Sequence, residues 1–251
     1  MAKIISVVNQ KGGVGKTTTT VNLGAALALE NKKILIVDFD QQANATITLG
    51  VKREEVQKDI VDFLLEENSY NYIIGTDETN LDLIPASLNI ANFEQKIQNL
   101  EKKELLLSNK LNALKDQYDY ILIDCPPALG IIIDNALFAS DSVIIPVECS
   151  FYAYDALTQM VNKIDEIQKV KPLEIEGILL TKLDNRNTIG YNIVEKVKFE
   201  FPFKTFNTII SVSSHIQEAP MYSKSVIQFS YNSRGSKEYR ELAKEILEGK
   251  K

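Results

Sequence analysis

The segment Lys11-Gly12-Gly13-Val14-Gly15-Lys16-Thr17-Thr18 limits what this chain can fold into more than any other. It follows an apolar run, Ile4-Ile5-Ser6-Val7-Val8, and opens a helix-patterned stretch from Thr17 to Glu30. A strand, a glycine-rich turn and a helix N-terminus in that order make an anion site. Backbone N–H groups converge there, and the helix dipole adds positive potential. The ordinary phosphate-loop pattern places a glycine five residues before Gly15, but that position is Gln10. A second lysine, Lys11, stands ahead of the glycines instead.

Strand-like runs occur at 3–9, 33–39, 119–124, 142–147 and 175–181. Each mixes Ile, Val and Leu without polar alternation, as in strands covered on both faces. Helix patterns lie at 16–30, 53–67, 88–117, 152–170 and 188–200. A last one at 236–248 puts Tyr239, Leu242, Ala243, Ile246 and Leu247 on one side. Shorter runs at 71–74, 81–85 and 205–211 add strands. This repetition predicts an α/β fold: a doubly wound, mostly parallel sheet with helices on both faces and ligands at the carboxyl ends of its strands. With 251 residues and no internal repeat, the chain is expected to form a single domain over 1–251.

Lys16 and Thr17 have the spacing of a phosphate-binding lysine and a magnesium-binding hydroxyl. Gly12, Gly13 and Gly15 let the backbone approach closely. The second strand ends in Asp38-Phe39-Asp40, two carboxylates on the same side of a strand end. One can meet a metal's water shell or Lys16, while the other orients a nucleophilic water. The run 119–124 ends in Asp124, followed by Cys125-Pro126-Pro127, which break the strand. That carboxylate is placed to act beside magnesium. Cys125 and Cys149 read as small buried residues.

These motifs together resemble the ParA/MinD group of ATPases with a deviant Walker A loop, a P-loop NTPase family, and within it the small Soj-type ParA partition proteins. Lys11–Thr19 looks like their Walker A loop, Asp38–Thr46 like their second motif, and Ile123–Pro127 like their Walker B strand. The likeness continues through 141–147, 179–184, 218–220 and 233–239, nearly the full length. It implies an ATP- and Mg²⁺-dependent homodimer in which Lys11 reaches the partner's phosphates. Lys16 and Thr17 hold phosphate and metal, Val14 and Thr18 complete the loop, and Asp40 positions water. Asp124 acts on the metal through water, and Asp38 is a further metal candidate. Slow hydrolysis, a ParB-like partner, non-specific DNA binding by the ATP dimer, and a cytoplasmic, nucleoid-associated location are likewise implied.

Thr181, Lys182, Ser211 and Ser213 are the implied adenine contacts. Gln41 and Ala43 replace the Pro and Gly usual in the second motif. Val212 and His215 stand where the family often carries arginine, so Arg186, Lys196, Lys198, Lys224 and Arg234 are the DNA candidates.

Charge and composition narrow the rivals. The net charge of −6 excludes a uniformly basic nucleic-acid binder, although residues 182–251 carry 12 basic against 8 acidic side chains. One histidine and two cysteines leave no zinc spacing and no convincing iron–sulfur pair. No apolar run reaches the roughly 18 residues that span a bilayer. A MinD-like membrane-cycling ATPase would need an exposed amphipathic C-terminal helix, whereas 236–248 reads as docked on the core. The phosphate loop begins too early for a helix-turn-helix to precede it in this sequence.

Overall fold

The computed structural model describes residues 1–66, 72–150, 153–184, 186 and 188–249. Its centre is an eight-stranded sheet in the order β3-β4-β2-β5-β1-β6-β7-β8. The strands are β1 (Lys3–Val7), β2 (Ile34–Asp38), β3 (Ile74–Gly75), β4 (Leu81–Ile84), β5 (Tyr120–Asp124), β6 (Ser142–Glu148), β7 (Glu174–Leu183) and β8 (Thr205–Ser211). All neighbouring pairs are parallel except β3–β4.

Alternation along each strand feeds two cores. In β1, Ile4 faces one hydrophobic cluster while Ile5 and Val7 face the other; in β2, Leu35 and Val37 oppose Ile34 and Ile36. Each of these side chains is fully buried, and such burial stabilises by about 1.5–3 kcal/mol apiece. Helices α3 (Ile60–Leu65), α4 (Phe93–Lys96), α5 (Leu106–Asn112), α6 (Ile131–Ala139), α7 (Ala153–Gln168) and α8 (Thr188–Glu200) cover the first face. The second is covered by α1 (Lys16–Leu29), α2 (Asn44–Thr48), α10 (Val226–Phe229) and α11 (Arg234–Glu248), with α9 (Ser214–Glu218) beside them.

Helix α1 is small-sided because it is enclosed by the sheet and α11. A Cβ on Gly24 would lie 2.9 Å from Ile36 Cδ1. The apolar side of α11 is buried through Tyr239, Leu242, Ala243 and Ile246, as expected for a core-docked helix. Its Glu245 carboxylate accepts the N–H groups of Asn207 and Thr208 at 2.7 and 3.1 Å. That contact satisfies two backbone amides of the edge strand β8.

Three sequence expectations change. The 53–67 helix is a short 3₁₀ turn, Arg53–Glu55, followed by α3, because Asp59 forms a capping box with Asp62 and starts a new helix; residue 67 lies outside the described set. The 88–117 helix is broken into 3₁₀ turns at Leu88–Asn92 and Lys103–Leu105 and the short helices α4 and α5. Helices α2, α6, α9 and α10 were not anticipated. Residue 71 of the expected 71–74 strand and residue 152 of the expected 152–170 helix also lie outside the described residues.

Gly177 on β7 gives a sharp packing test. A Cβ there would overlap the Phe206 ring of β8. Gly177→Ala is expected to destabilise by about 1–3 kcal/mol in urea unfolding, the usual cost of overpacking. Phe206→Leu in the same chain is expected to cost less than the two single changes added together.

Candidate functional site

The carboxyl ends of β1, β2, β5, β6 and β7 bring the sequence motifs together at the point where strand order reverses about β1. After β1, the loop folds so that Gly13 and Gly15 take φ of 75° and 95°, values that only glycine adopts without strain. Gly15 precedes α1, whose first turn has no side-chain cap and no acidic residue. Its N-terminal amides are therefore available to an anion.

Neighbouring strand ends fix the loop. The Asn9 amide donates to the Pro146 carbonyl at 2.7 Å, and its side-chain oxygen accepts the Lys11 N–H at 2.9 Å. Thr181 at the end of β7 donates its hydroxyl to the Val14 carbonyl at 2.8 Å. Lys16 is 6% exposed and reaches back to the Lys11 carbonyl at 3.3 Å. Burial lowers its pKa, while Asp124, Cys125 and Asp40 act to raise it.

Asp124 and Asp40 lie near this lysine, and Asp38 is buried beside Asp124. Asp38 and Asp124 are paired in register across β2 and β5 and are fully buried. Both oxygens of Asp38 accept hydrogen bonds within the protein. Its Oδ2 accepts the Thr46 N–H and hydroxyl at 2.8 and 2.7 Å, and its Oδ1 accepts the Asp40 N–H at 3.2 Å. It thus fixes the segment carrying Asp40, and Thr46 passes the link on by accepting the Ala86 N–H. Burial pushes the Asp38 carboxyl up to about 6 despite these bonds.

Asp124 is different. Its Oδ1 accepts the Thr20 hydroxyl at 3.3 Å, but its Oδ2 has no hydrogen-bond partner. Burial, then the neighbouring Asp38, raise its carboxyl well above the usual range, and Thr17 and Lys16 offset this only in part. Asp40, 6% exposed, uses Oδ1 to accept the Gln42 N–H at 3.0 Å.

Asp40 lines a cavity of about 630 Å³ together with Gly13, Gly15, Lys16, Thr17 and Thr18. Thr181, Lys182, Ser211 and Ser213 line the same cavity. The Ser211 N–H and hydroxyl, however, both donate to Glu238, at 2.9 and 2.7 Å. The cavity is large enough for a nucleotide-sized ligand. The thiols of Cys125 and Cys149 are buried and raised by burial, Cys149 to about 12, which makes them inert.

Lys11 points elsewhere. Its Nζ donates to Glu148 Oε2 and to Ser150 Oγ, both at 3.0 Å. Glu148 was not foreseen, because nothing in sequence places the end of β6 beside the residue before the loop. Asn9 and Thr46 were missed for the same reason.

The five DNA candidates are divided between elements on both faces of the sheet. Lys196 and Lys198 lie on α8, in the layer over the first face, whereas Lys224 and Arg234 belong to the opposite layer. Arg186 is paired with Asp184 at 2.8 Å and Arg234 with Glu238 at 2.8 Å. Lys196 sits over the Tyr154 ring, 3.9 Å from its centroid.

The raised carboxyls have a pH consequence. A buried acid whose folded pKa exceeds its unfolded value of about 3.9 contributes stability below that value and loses it as pH rises. For Asp38 the loss runs from about 4 to about 6; for Asp124 it extends higher. Asp124→Asn is therefore expected to stabilise the chain, by about 1–3 kcal/mol at pH 8 and little at pH 4. Urea midpoints across pH measure this; a benefit that shrinks as pH rises would show the opposite electrostatics.

Comparison with known proteins agrees with this geometry. A family model described as an AAA domain matches residues 2–177. The chain is 45% identical over 249 residues to the sporulation initiation inhibitor protein Soj of Bacillus subtilis, covering 98% of each. It is 38% identical over 250 residues to the chromosome partitioning protein ParA of Myxococcus xanthus, covering 98% of this chain and 88% of that one. Its fold superposes with a TM-score of 0.86 on cobyrinic acid a,c-diamide synthase of Mycobacterium smegmatis, solved with a bound ATP analog and magnesium; that pair is 29% identical, and 98% and 95% of the two chains are covered. Sequence, sheet order and loop geometry converge: this chain belongs to the ParA/MinD family of P-loop ATPases, among its Soj-type members.

Proposed function

We propose that this chain is a partition ATPase that dimerises on ATP, binds DNA without sequence preference as the ATP dimer, and releases it on hydrolysis stimulated by a ParB-like partner. The observation that carries this reading is the division of labour between two lysines. Lys16 is buried beneath its own loop, while the Lys11 ammonium is turned away from it toward Glu148 and Ser150. A cation outside its own phosphate site, 29% exposed, is suited to a second subunit's phosphates.

The residues fit magnesium ATP. Asp124 Oδ2 is buried without a partner, Thr17 lies next to it, and the α1 amides are uncapped. Among the described residues no cluster of three or more His, Cys, Asp or Glu could hold a metal alone. Such a donor set suits a cation that keeps several waters and shares phosphate oxygens, as Mg²⁺ does. Thr17 would hold it directly and Asp124 through water; bound there, it supplies positive charge to the outer phosphates.

The chain's own groups do the rest. The loop amides and Lys16 bind and orient the phosphates, and Lys11 of a second subunit neutralises charge that develops on them, an effect worth several kcal/mol in a water-excluded site. Asp40, one oxygen of which is held by the Gln42 N–H, lines the cavity and accepts a hydrogen bond from the attacking water. Asp38 keeps Asp40 in place. Thr181, Lys182 and Ser213 shape the base end of the cavity, whereas Ser211 is committed to Glu238.

Arg186, Lys196, Lys198, Lys224 and Arg234 remain the DNA candidates. Two of them are paired with carboxylates and the set is divided between two layers, so affinity is expected to be modest and to rest on the dimer. A location in the cytoplasm on the nucleoid and a single-domain organisation follow from this reading. A membrane-cycling role has no support in α11, whose apolar side is buried, and no described helix is long and apolar enough to cross a membrane.

One experiment covers the proposal. Wild type, Lys11→Ala and Asp40→Ala are sedimented with ATP, ADP or neither, then tested for retention of random-sequence duplex across a salt series. Wild type is expected to dimerise and retain DNA with ATP alone; Lys11→Ala to bind ATP but do neither; Asp40→Ala to stay dimeric and bound. Retention that is absent, or indifferent to nucleotide, would overturn the partition reading. Pelleting with liposomes instead would favour the membrane alternative.

A further inference from the structure

The geometry points to Glu148 as a positioning residue that parks Lys11 against its own subunit and so sets the threshold for dimerisation. This rests on the dimer reading above. Glu148 is the last residue of β6, in register with Thr181 of β7. Its two carboxylate oxygens face two lysines: Oε2 meets Lys11 Nζ at 3.0 Å, and Oε1 lies 3.9 Å from Lys182 Nζ. Ser150 adds a second acceptor to Lys11 at 3.0 Å. The Ser150 N–H donates to the Glu148 carbonyl at 2.7 Å, so both acceptors sit on one tight turn.

The turn is itself anchored. The Cys149 N–H donates to the Thr181 carbonyl at 2.9 Å, and Thr181 holds the phosphate loop through Val14. At the other end, Asn9 fixes the Lys11 backbone to β6 through the Pro146 carbonyl. Lys11 is therefore tethered at its main chain and at its ammonium to the same strand end. For that ammonium to reach another subunit's phosphates, the Glu148 contact has to break, while the Asn9 contact can persist. The pair is 29% and 28% exposed, so it is strong enough to bias the lysine and weak enough to yield to a nucleoside triphosphate.

Lys182 makes the release reciprocal. It lines the nucleotide cavity and has φ of +54°, a left-handed backbone held at the end of β7. A ligand that draws the Lys182 ammonium into the cavity leaves Glu148 with Lys11 alone. A ligand that draws Lys11 outward leaves Glu148 to Lys182. The carboxylate is thus shared between the nucleotide side and the partner side of the loop.

Glu148→Gln keeps the shape and removes the charge. Two readouts separate this inference from the dimer reading. In the first, wild type and Glu148→Gln, without nucleotide, are exposed to an amine-acylating reagent, and Lys11 modification is followed by peptide mass spectrometry. Lys11 in the variant is expected to react about two- to fivefold faster, the loss of one partly exposed ion pair; 0.5 M salt is expected to accelerate the wild type and not the variant. In the second, ATP-induced dimerisation is followed by sedimentation. The variant is expected to dimerise about tenfold more tightly at saturating ATP, since each dimer releases two such contacts. Glu148→Asp, whose shorter arm keeps the charge, is expected to restore wild-type behaviour in part. Equal Lys11 reactivity in wild type and Glu148→Gln overturns the inference whatever the dimer does. Faster reactivity with unchanged or weaker dimerisation overturns the threshold role. Failure of the wild type itself to dimerise, with faster labelling of the variant, contradicts the dimer reading and leaves the parked lysine standing.

Discussion

A single buried ammonium, Lys16, acts on two buried carboxylates, Asp124 and Asp40, and a third, Asp38, is buried beside Asp124. The rest of the structure is arranged around that imbalance. Removing four ionisable groups from water is costly, and one cation cannot satisfy three anions at once. Asp38 is relieved by hydrogen bonds from Thr46 and Asp40, and Asp40 by the Gln42 amide. Asp124 keeps one bare oxygen. The site is short of positive charge on its carboxylate side and rich in uncapped amides on its loop side. A cation carried on a polyphosphate answers both deficits, which is why the same residues that strain the fold suit the ligand.

The sheet makes this concentration of charge possible. Parallel strands deliver their carboxyl ends to one edge, and two independent apolar cores hold them in register from either side. Ile4, Leu35 and Ile121 belong to one core and Ile5, Ile36 and Leu122 to the other. Displacement of β5 by one residue would move Asp124 across the sheet and exchange the two faces. The rigidity of the cores is therefore a condition of the chemistry at their rim. Side-chain ties then carry order from strand ends into loops: Asn9 to Pro146, Thr181 to Val14, and Asp38 to Thr46.

Much of this was legible in the residues. The strands β1, β2, β5, β6 and β7 announced themselves as Ile/Val/Leu runs, and the glycine loop, Asp40 and Asp124 were readable because backbone geometry and charge there tolerate few residue types. Legibility failed where long-range contacts decide. The Leu/Lys/Glu-rich stretch 88–117 has helix composition, but Lys102 takes φ of 51° and interrupts it. Asn135 of α6 then accepts the Leu107 N–H at the start of α5 and donates to the Lys103 carbonyl. A partner 28 residues away in sequence sets where α5 begins. Asp38 and Asp40 look equivalent in sequence; only the fold shows that one supports the other. Glu148 is an ordinary strand-end acid until β6 is laid beside the loop.

The central claim is that Lys11 acts on the site of a second subunit, and mixing inactive variants tests it most directly. A Lys11→Ala chain retains Asp40, and an Asp40→Ala chain retains Lys11. When the two are mixed with magnesium ATP and turnover is measured, a cross-interface Lys11 requires activity to return. One site of each mixed dimer then holds Asp40 from one chain and Lys11 from the other. If Lys11 serves only its own loop, no combination is complete, and a mixture as inactive as its components would contradict the claim.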